Sequence, residues 1–269
     1  MSLKPSILHI IDSLNHGGAE KVTITLANLF FKKGHEVGIL YFFDTEQNII
    51  HELNPEIKIF KFNRGWKYNI FKKNNFQQIT KQYDLIHVHM KHNLRYVWFL
   101  KLFRNEIPKI FFQDHGFSNL NYFDLKITRV ALSKAVYIGV NDILCKTASQ
   151  YFKVKNPYLL PNTIDQVSPK KKNKKERNKF KLVLVSNIHK RKNILFALKY
   201  FFHLIKIDKS YELDIIGKIR DEKYYQNCKS YCKNKGLAQK IKFIHDQKNV
   251  QQLLLDYDMG LHFSSLETG

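Results

Sequence analysis

Along nearly the whole of this sequence, short apolar runs alternate with amphipathic stretches of roughly ten to fifteen residues. Strands separated by helices of that length form βαβ units, so the pattern demands a mostly parallel sheet. The first apolar run is Ile7-Leu8-His9-Ile10-Ile11; the first amphipathic stretch, Lys21 to Lys33, stops at Gly34. The same pattern predicts strands at 36–42, 57–62, 84–89, 109–113 and 135–140. Helices are expected over 68–82, 94–104 and 122–133, and from Asn141-Asp142, which are good N-cap residues. A second series begins at Leu182. It predicts strands at 182–185, 211–216, 240–245 and 259–263, and helices at 194–207, 222–234 and 250–257. The architecture is therefore α/β, with doubly wound parallel sheets.

Between the two series the composition shifts. Pro169 to Lys181 carries eight basic residues and one acid, a solvated run that reads as a linker. The expected organisation is one domain over 1–165, a basic linker over 166–181, and a second domain over 182–269. Four strands without a closing helix suggest that this second domain is incomplete, with its remainder lying past Gly269.

A formal charge of +22, from 45 basic and 23 acidic residues, implies an acidic partner. Nucleic acid, an anionic membrane surface and phosphorylated substrates all qualify. No zinc-finger, recognition-helix or RNP-type signature accompanies the charge, which argues against specific nucleic-acid recognition. Basic and aromatic residues interleave in 64–73 (Arg64, Trp66, Lys67, Tyr68) and in 95–104 (Arg95, Tyr96, Trp98, Lys101), a mixture suited to a membrane interface. Core helices with solvated cationic faces give the same pattern. Cys145, Cys228 and Cys232, odd in number and without a C-x-x-C, read as reduced thiols.

The first strand runs into Asp12-Ser13-Leu14-Asn15-His16-Gly17-Gly18-Ala19-Glu20. Adjacent glycines let a backbone approach a ligand closely, and the N–H groups opening the next helix favour an anion such as phosphate. A tight βα turn with no ligand explains Gly17 and Gly18 equally well. His87 and His89 alternate along one strand and His9 lies inside another. They read as structural, since no third ligand is apparent to complete a metal site.

Taken in order, the segments I-D-S-L-N-H-G-G-A-E, D-L-I-H-V-H, Q-D-H-G-F, L-P-N-T-I-D, L-V-S-N-I-H-K-R-K-N, L-D-I-I-G, K-I-K-F-I-H and L-H-F-S-S-L-E-T-G span the chain. In this order and spacing the chain resembles the retaining glycosyltransferases of family 4. The resemblance implies the GT-B fold, two Rossmann-like domains. It also implies a nucleotide diphosphate sugar donor held mainly by the second domain, and transfer with no metal or other cofactor. The acceptor would be a polysaccharide, a lipopolysaccharide or a lipid-linked glycan at the cytoplasmic membrane face. Lys192 matches the lysine that contacts the donor diphosphate, at a loop-to-helix start; Asn187 stands where the family usually has arginine, so either Arg191 or Lys190 substitutes or the site carries less charge. Gly217 matches the glycine after the second strand of that domain, although Ile219 replaces the next glycine and Thr163 replaces another in L-P-N-T-I-D. Glu267 matches the first glutamate of an E-x7-E motif near the reacting carbon, and His115 a histidine that reaches toward the donor sugar. His245 and Ser264, in K-I-K-F-I-H and L-H-F-S-S-L-E-T-G, join Gly17 and Gly18 as implied donor-binding residues. The competing expectations are a sugar-nucleotide epimerase of the same fold and a non-catalytic basic binding module.

Overall fold

The computed structural model describes residues 4–15, 17–44, 48–65, 73–102, 108–116, 122–162, 179–245, 247 and 250–264. These residues fall into two compact units, one ending at Asn162 and the other starting at Lys179. Each is a parallel sheet with helices packed on it.

In the first unit the order is β1 (Ile7–Ile11), α1 (Gly18–Lys32), β2 (Val37–Tyr41), β3 (Lys58–Lys61), α2 (Lys73–Thr80), β4 (Leu85–His89) and α3 (Lys91–Lys101). Then follow β5 (Lys109–Asp114), α4 (Tyr122–Leu132), β6 (Ala135–Gly139), α5 (Asp142–Tyr151) and β7 (Tyr158–Leu159). Among the described residues the sheet has seven strands, ordered β3-β2-β1-β4-β5-β6-β7, each parallel to its neighbours. The chain order reverses between β1 and β4. In register, Ile7 lies beside Leu85, His9 beside His87 and Ile10 beside Val88.

Central strands are apolar on both faces because both are covered. Leu8 and Ile10 of β1 join Leu40, Ile86, Val88, Phe112 and the α3 residues Leu94, Tyr96, Val97 and Leu100 in one core cluster. Ile11, Ile39 and Tyr41 pack on the opposite face with Ile24 and Ala27 of α1. The edge strand β3 is mostly exposed and carries lysine at both ends, which discourages pairing with another sheet.

Of the two readings of 95–104, the described residues 95–102 take the core-helix one, and residues 103 and 104 lie outside the described residues. Helix α3 is a core helix: Tyr96 is fully buried, Arg95 is buried with its guanidinium 3.5 Å from Asp124 and 3.2 Å from Thr128 Oγ1, and Trp98 packs on the core. In the other stretch, Arg64 is buried under the rings of Phe42, Phe43 and Tyr96 at 4.9–5.3 Å. Cation–π packing inside the fold uses that cation. Residues 66–72 lie outside the described residues. Among the described residues, no helix is long and apolar enough to cross a membrane.

The second unit contains β8 (Phe180–Val185), α6 (Ile194–Ile207), β9 (Tyr211–Ile216), α7 (Glu222–Asn234), β10 (Ile241–Ile244), α8 (Val250–Leu254) and β11 (Met259–Gly260). Its sheet is parallel and ordered β10-β9-β8-β11, so the chain order reverses between β8 and β11. Its core gathers Leu182, Leu184, Ala197, Leu198, Phe201, Leu213, Ile215, Cys228 and Cys232. All three cysteines are free, and burial pushes the Cys228 and Cys232 thiols up to about 11, so both stay protonated at neutral pH. Phe180 and Lys181, assigned by sequence to the linker, already pair with Tyr211 and Glu212. The strand expected over 259–263 is shorter, but Leu261 N–H still bonds to Val183 O at 2.7 Å and Phe263 packs on Phe196 and Tyr200.

Candidate active site

Ligands of parallel α/β sheets bind beyond the carboxyl ends of the strands, at the reversal in strand order. In the second unit that edge is formed by the residues after Val185, Ile216, Ile244 and Gly260. Asn187, Gly217, His245 and Ser264 are the residues found there. Gly217 is required by packing: a Cβ would lie 2.1 Å from Ser186 O and 3.0 Å from Asn187 N, both backbone atoms. Two neighbouring strand ends therefore touch through this glycine. Asn187 ties them further, its Oδ1 accepting from Lys218 N–H at 3.3 Å. What Asn187 can offer an anion is its amide nitrogen. His245 closes the row. Its Nδ1 lies 2.9 Å from Gly217 O, an acceptor only, so Nδ1 carries the proton and Nε2 faces Tyr225 OH at 3.4 Å. Ser264 Oγ is buried and finds no hydrogen-bond partner among the described residues.

The cationic turn stands at the same edge. Lys190, Arg191 and Lys192 form a single 3-10 turn after β8. Lys192 lies two residues ahead of α6, at the loop-to-helix start expected for it. Asn193, at φ 54°, turns left-handed between Lys192 and Ile194, where α6 begins. Asparagine tolerates that conformation better than most residues. Lys192 and Arg191 thus sit just ahead of the positive end of α6, adding charge to its N–H groups. Glu267 and Thr163 lie outside the described residues.

In the first unit the corresponding edge holds Gly17, Gly18 and His115. Gly17 is the N-cap of α1 in an extended conformation, φ −147°, and makes no side-chain cap bond. Its lack of a side chain makes room for Glu20, whose carboxylate would lie 2.2 Å from a Cβ at position 17. Gly18 faces open space. Glu20, at the third helical position, therefore folds over the helix opening, as in a capping box. An anion arriving at the Gly17-Gly18 turn meets this carboxylate as well as the helix N–H groups. His16 lies outside the described residues.

His115 follows β5 and is held by a buried network that the sequence did not reveal. Lys91 Nζ donates to Asp114 Oδ1 at 2.5 Å and to Gly116 O at 2.7 Å. Tyr137 OH donates to Asp114 Oδ2 at 2.8 Å, and Gly116 N–H to Asp114 Oδ1 at 3.2 Å. The residues on either side of His115 are thus fixed to one ion pair. Two of the partners, Lys91 and Tyr137, are distant in sequence; only the register of β4, β5 and β6 brings them to Asp114. Met90, with φ 73°, makes the turn from β4 into α3 beside this network. Positive φ at a non-glycine residue is a strained feature typical of functional edges.

His115 also ends a row of histidines. His89 Nδ1 is 2.9 Å from His115 Nε2, and His89 Nε2 is 3.2 Å from His9 Nδ1. His87 lies tilted beside both, its ring centroid 5.0 Å from His9 and 4.5 Å from His89. The expectation that no third ligand joins this set is corrected: one ring nitrogen from each of His9, His87 and His89 lies within 4.8 Å of the other two. The strand alternation placed His87 and His89 on one face, but the neighbour of His87 depended on the β1–β4 register. Burial lowers His9 to about 3 and His115 to about 4, and holds His87 and His89 well below the ordinary histidine value. All four are neutral at pH 7. His9 Nε2 and His87 Nε2 are buried with no hydrogen-bond partner among the described residues. A buried polar atom left so costs about 1–3 kcal/mol.

These two edges can be compared with known proteins. The sequence profile described as Glycosyltransferase Family 4 matches residues 16–166, more than half of the chain. The chain belongs to glycosyltransferase family 4. No curated protein matches it. Among solved structures, Anabaena HepE in complex with UDP and glucose superposes with a TM-score of 0.77 at 16% identity, over 98% of this chain and 76% of that one. A glycosyltransferase from Rickettsia africae gives 0.78 at 17%, over 97% and 73%. The lipopolysaccharide outer core galactosyltransferase WaaB in its apo form gives 0.63 at 17%, over 98% and 75%. At these identities the likeness shows the fold, which is GT-B.

Proposed function

We propose that this glycosyltransferase moves a sugar, with retention, from a nucleotide diphosphate sugar to a polysaccharide, lipopolysaccharide or lipid-linked acceptor at the cytoplasmic membrane face. The observation that carries the reading is the second unit's carboxyl edge. There Asn187, Arg191, Lys192, Gly217, His245 and Ser264 gather from the ends of β8, β9, β10 and β11. As the glycosidic bond breaks, negative charge grows on the leaving diphosphate. Lys192, Arg191 and the α6 N–H groups answer that charge, the Asn187 amide supplies a neutral donor, and Ser264 Oγ adds a hydroxyl. No metal is needed at the diphosphate because fixed cations do its work. His115, neutral and rigidly held, is assigned to the donor sugar, with Glu267 beside the reacting carbon. Gly17 and Gly18 are assigned to the diphosphate from the first unit, with Glu20 swinging aside. The UDP and glucose bound by HepE are in keeping with such a donor, and the lipopolysaccharide substrate named for WaaB with such an acceptor. The net charge of +22 supports contact with an anionic surface, through residues other than the buried Arg64 and Arg95.

The test is UDP and UDP-sugar binding followed by melting temperature, together with transfer to lipid-linked acceptors. Lys192→Ala is expected to lower transfer by about two to three orders of magnitude, the usual cost of removing one transition-state donor. It should also reduce the UDP-induced shift in melting temperature. Full activity in that variant would exclude the assignment. Product formed from donor alone, without acceptor, would point to an epimerase instead.

A further inference from the structure

We propose that His9, His87 and His89 form a binding site for one divalent transition-metal ion of the zinc–cobalt type, buried between β1, β4 and α1. Three imidazoles from two neighbouring strands converge there, each offering one ring nitrogen within 4.8 Å of the others. His9 Nδ1 and His89 Nε2 are 3.2 Å apart. Two nitrogens each about 2.0–2.1 Å from a tetrahedral ion are separated by roughly 3.3 Å, so this pair needs little movement. All three rings are buried; with His89 Nδ1 donating to His115 Nε2, His89 Nε2 keeps its lone pair for the ion, and His9 frees Nδ1 by carrying its proton on Nε2. His87 Nε2 is enclosed and unpartnered among the described residues, so the ion would satisfy it. An all-imidazole set without carboxylate or thiolate suits zinc, cobalt, nickel or copper and disfavours magnesium or calcium.

The site has the outer support that metal-bound histidines usually possess. With Nε2 of His89 on the ion, its Nδ1 carries the proton and donates to His115 Nε2, which stands 2.9 Å away. Metal binding therefore fixes the tautomer of His115, placing its proton on Nδ1. The ion is structural and reaches His115 only through His89. The site is independent of the proposed donor chemistry: metal binding is measured with no sugar nucleotide present, and its absence would leave the transferase reading standing.

The experiment uses the whole chain, stripped with chelator and titrated with Co2+ at pH 7.5 while visible absorption is recorded. One Co2+ per chain, with the intense bands of tetrahedral coordination, is expected; Zn2+ should displace it and raise the melting temperature. His87→Gln should weaken Co2+ binding at least tenfold, whereas His115→Gln, outside the coordination sphere, should retain the bands. Weak octahedral bands, or His87→Gln binding within twofold of wild type, would overturn the proposal. Should His87→Gln not fold, X-ray absorption of the zinc-loaded wild type decides: three imidazoles on the ion support the site, and fewer than two refute it.

Discussion

At the scale of single residues, both candidate edges depend on side chains whose work is to hold others. Lys91 is the clearest case. It is 7% exposed and its ammonium is shared between Asp114 and Gly116 O, the residues flanking His115. Two charges taken out of water are tolerable only as a pair, so removing one leaves the other uncompensated. Lys91→Met should therefore destabilise the first unit by about 3–5 kcal/mol, read from denaturant unfolding. A loss below about 1 kcal/mol would show that Asp114 is not held as a buried anion. Gly217 makes the complementary case in the second unit, where backbone atoms of the adjacent strand end leave no room for a Cβ. Gly217→Ala should cost about 1–3 kcal/mol through overpacking, with near wild-type melting ruling out that contact. Gly217, Asn187, Lys192 and His245 were named through the family resemblance, while the apolar runs fixed only where the strands before them end. The Lys91–Asp114–Tyr137 network and the His9–His87 contact were not legible, because lateral register between strands leaves no local trace.

At the scale of elements, legibility followed the strength of the local signals. Helices α6 and α7 lie over the very residues expected, since each combines a full apolar stripe with a clear boundary; Asp221 caps α7 by accepting from Tyr224 N–H at 2.9 Å. Strand β7 leaves no local signal, because its two residues are both exposed and its neighbours show no alternation. Helix α8 ends at Leu254, short of the expected Tyr257, because Leu255, Asp256 and Tyr257 continue only as i→i+3 turns. The N-cap read at Asn141 is made: its Oδ1 accepts from Leu144 N–H at 2.9 Å. Asn141→Ala should lower stability by about 1 kcal/mol, and Asn141→Ser or Asn141→Asp should restore most of it. Equal stability of the alanine and serine variants would mean that the cap contributes nothing.

At the scale of the whole molecule, a strongly basic chain keeps four histidines uncharged inside its first unit. Folded, His9 titrates near 3 and His115 near 4, with His87 and His89 also far below their ordinary value. Unfolded, each returns to about 6.5. Between those limits the unfolded chain binds more protons than the folded one, so stability falls as pH drops below about 6.5 and is fully present above it. For a histidine that stays neutral when folded, the loss between pH 7 and pH 5 is about 2 kcal/mol. Four such groups together approach the whole stability of an ordinary domain, about 5–15 kcal/mol. The metal-free first unit should therefore unfold near pH 5, taking up roughly three to four protons. Both tryptophans, Trp66 and Trp98, belong to that unit, and Trp98 packs on its core. Tryptophan emission followed through urea titrations at pH 7, 6 and 5 isolates its unfolding from that of the second unit. A midpoint that hardly moves would mean that the row of histidines already carries a proton in the folded state. A midpoint that recovers at pH 6 when Zn2+ is added would tie the same residues to the ion, since metal and proton compete for one set of lone pairs.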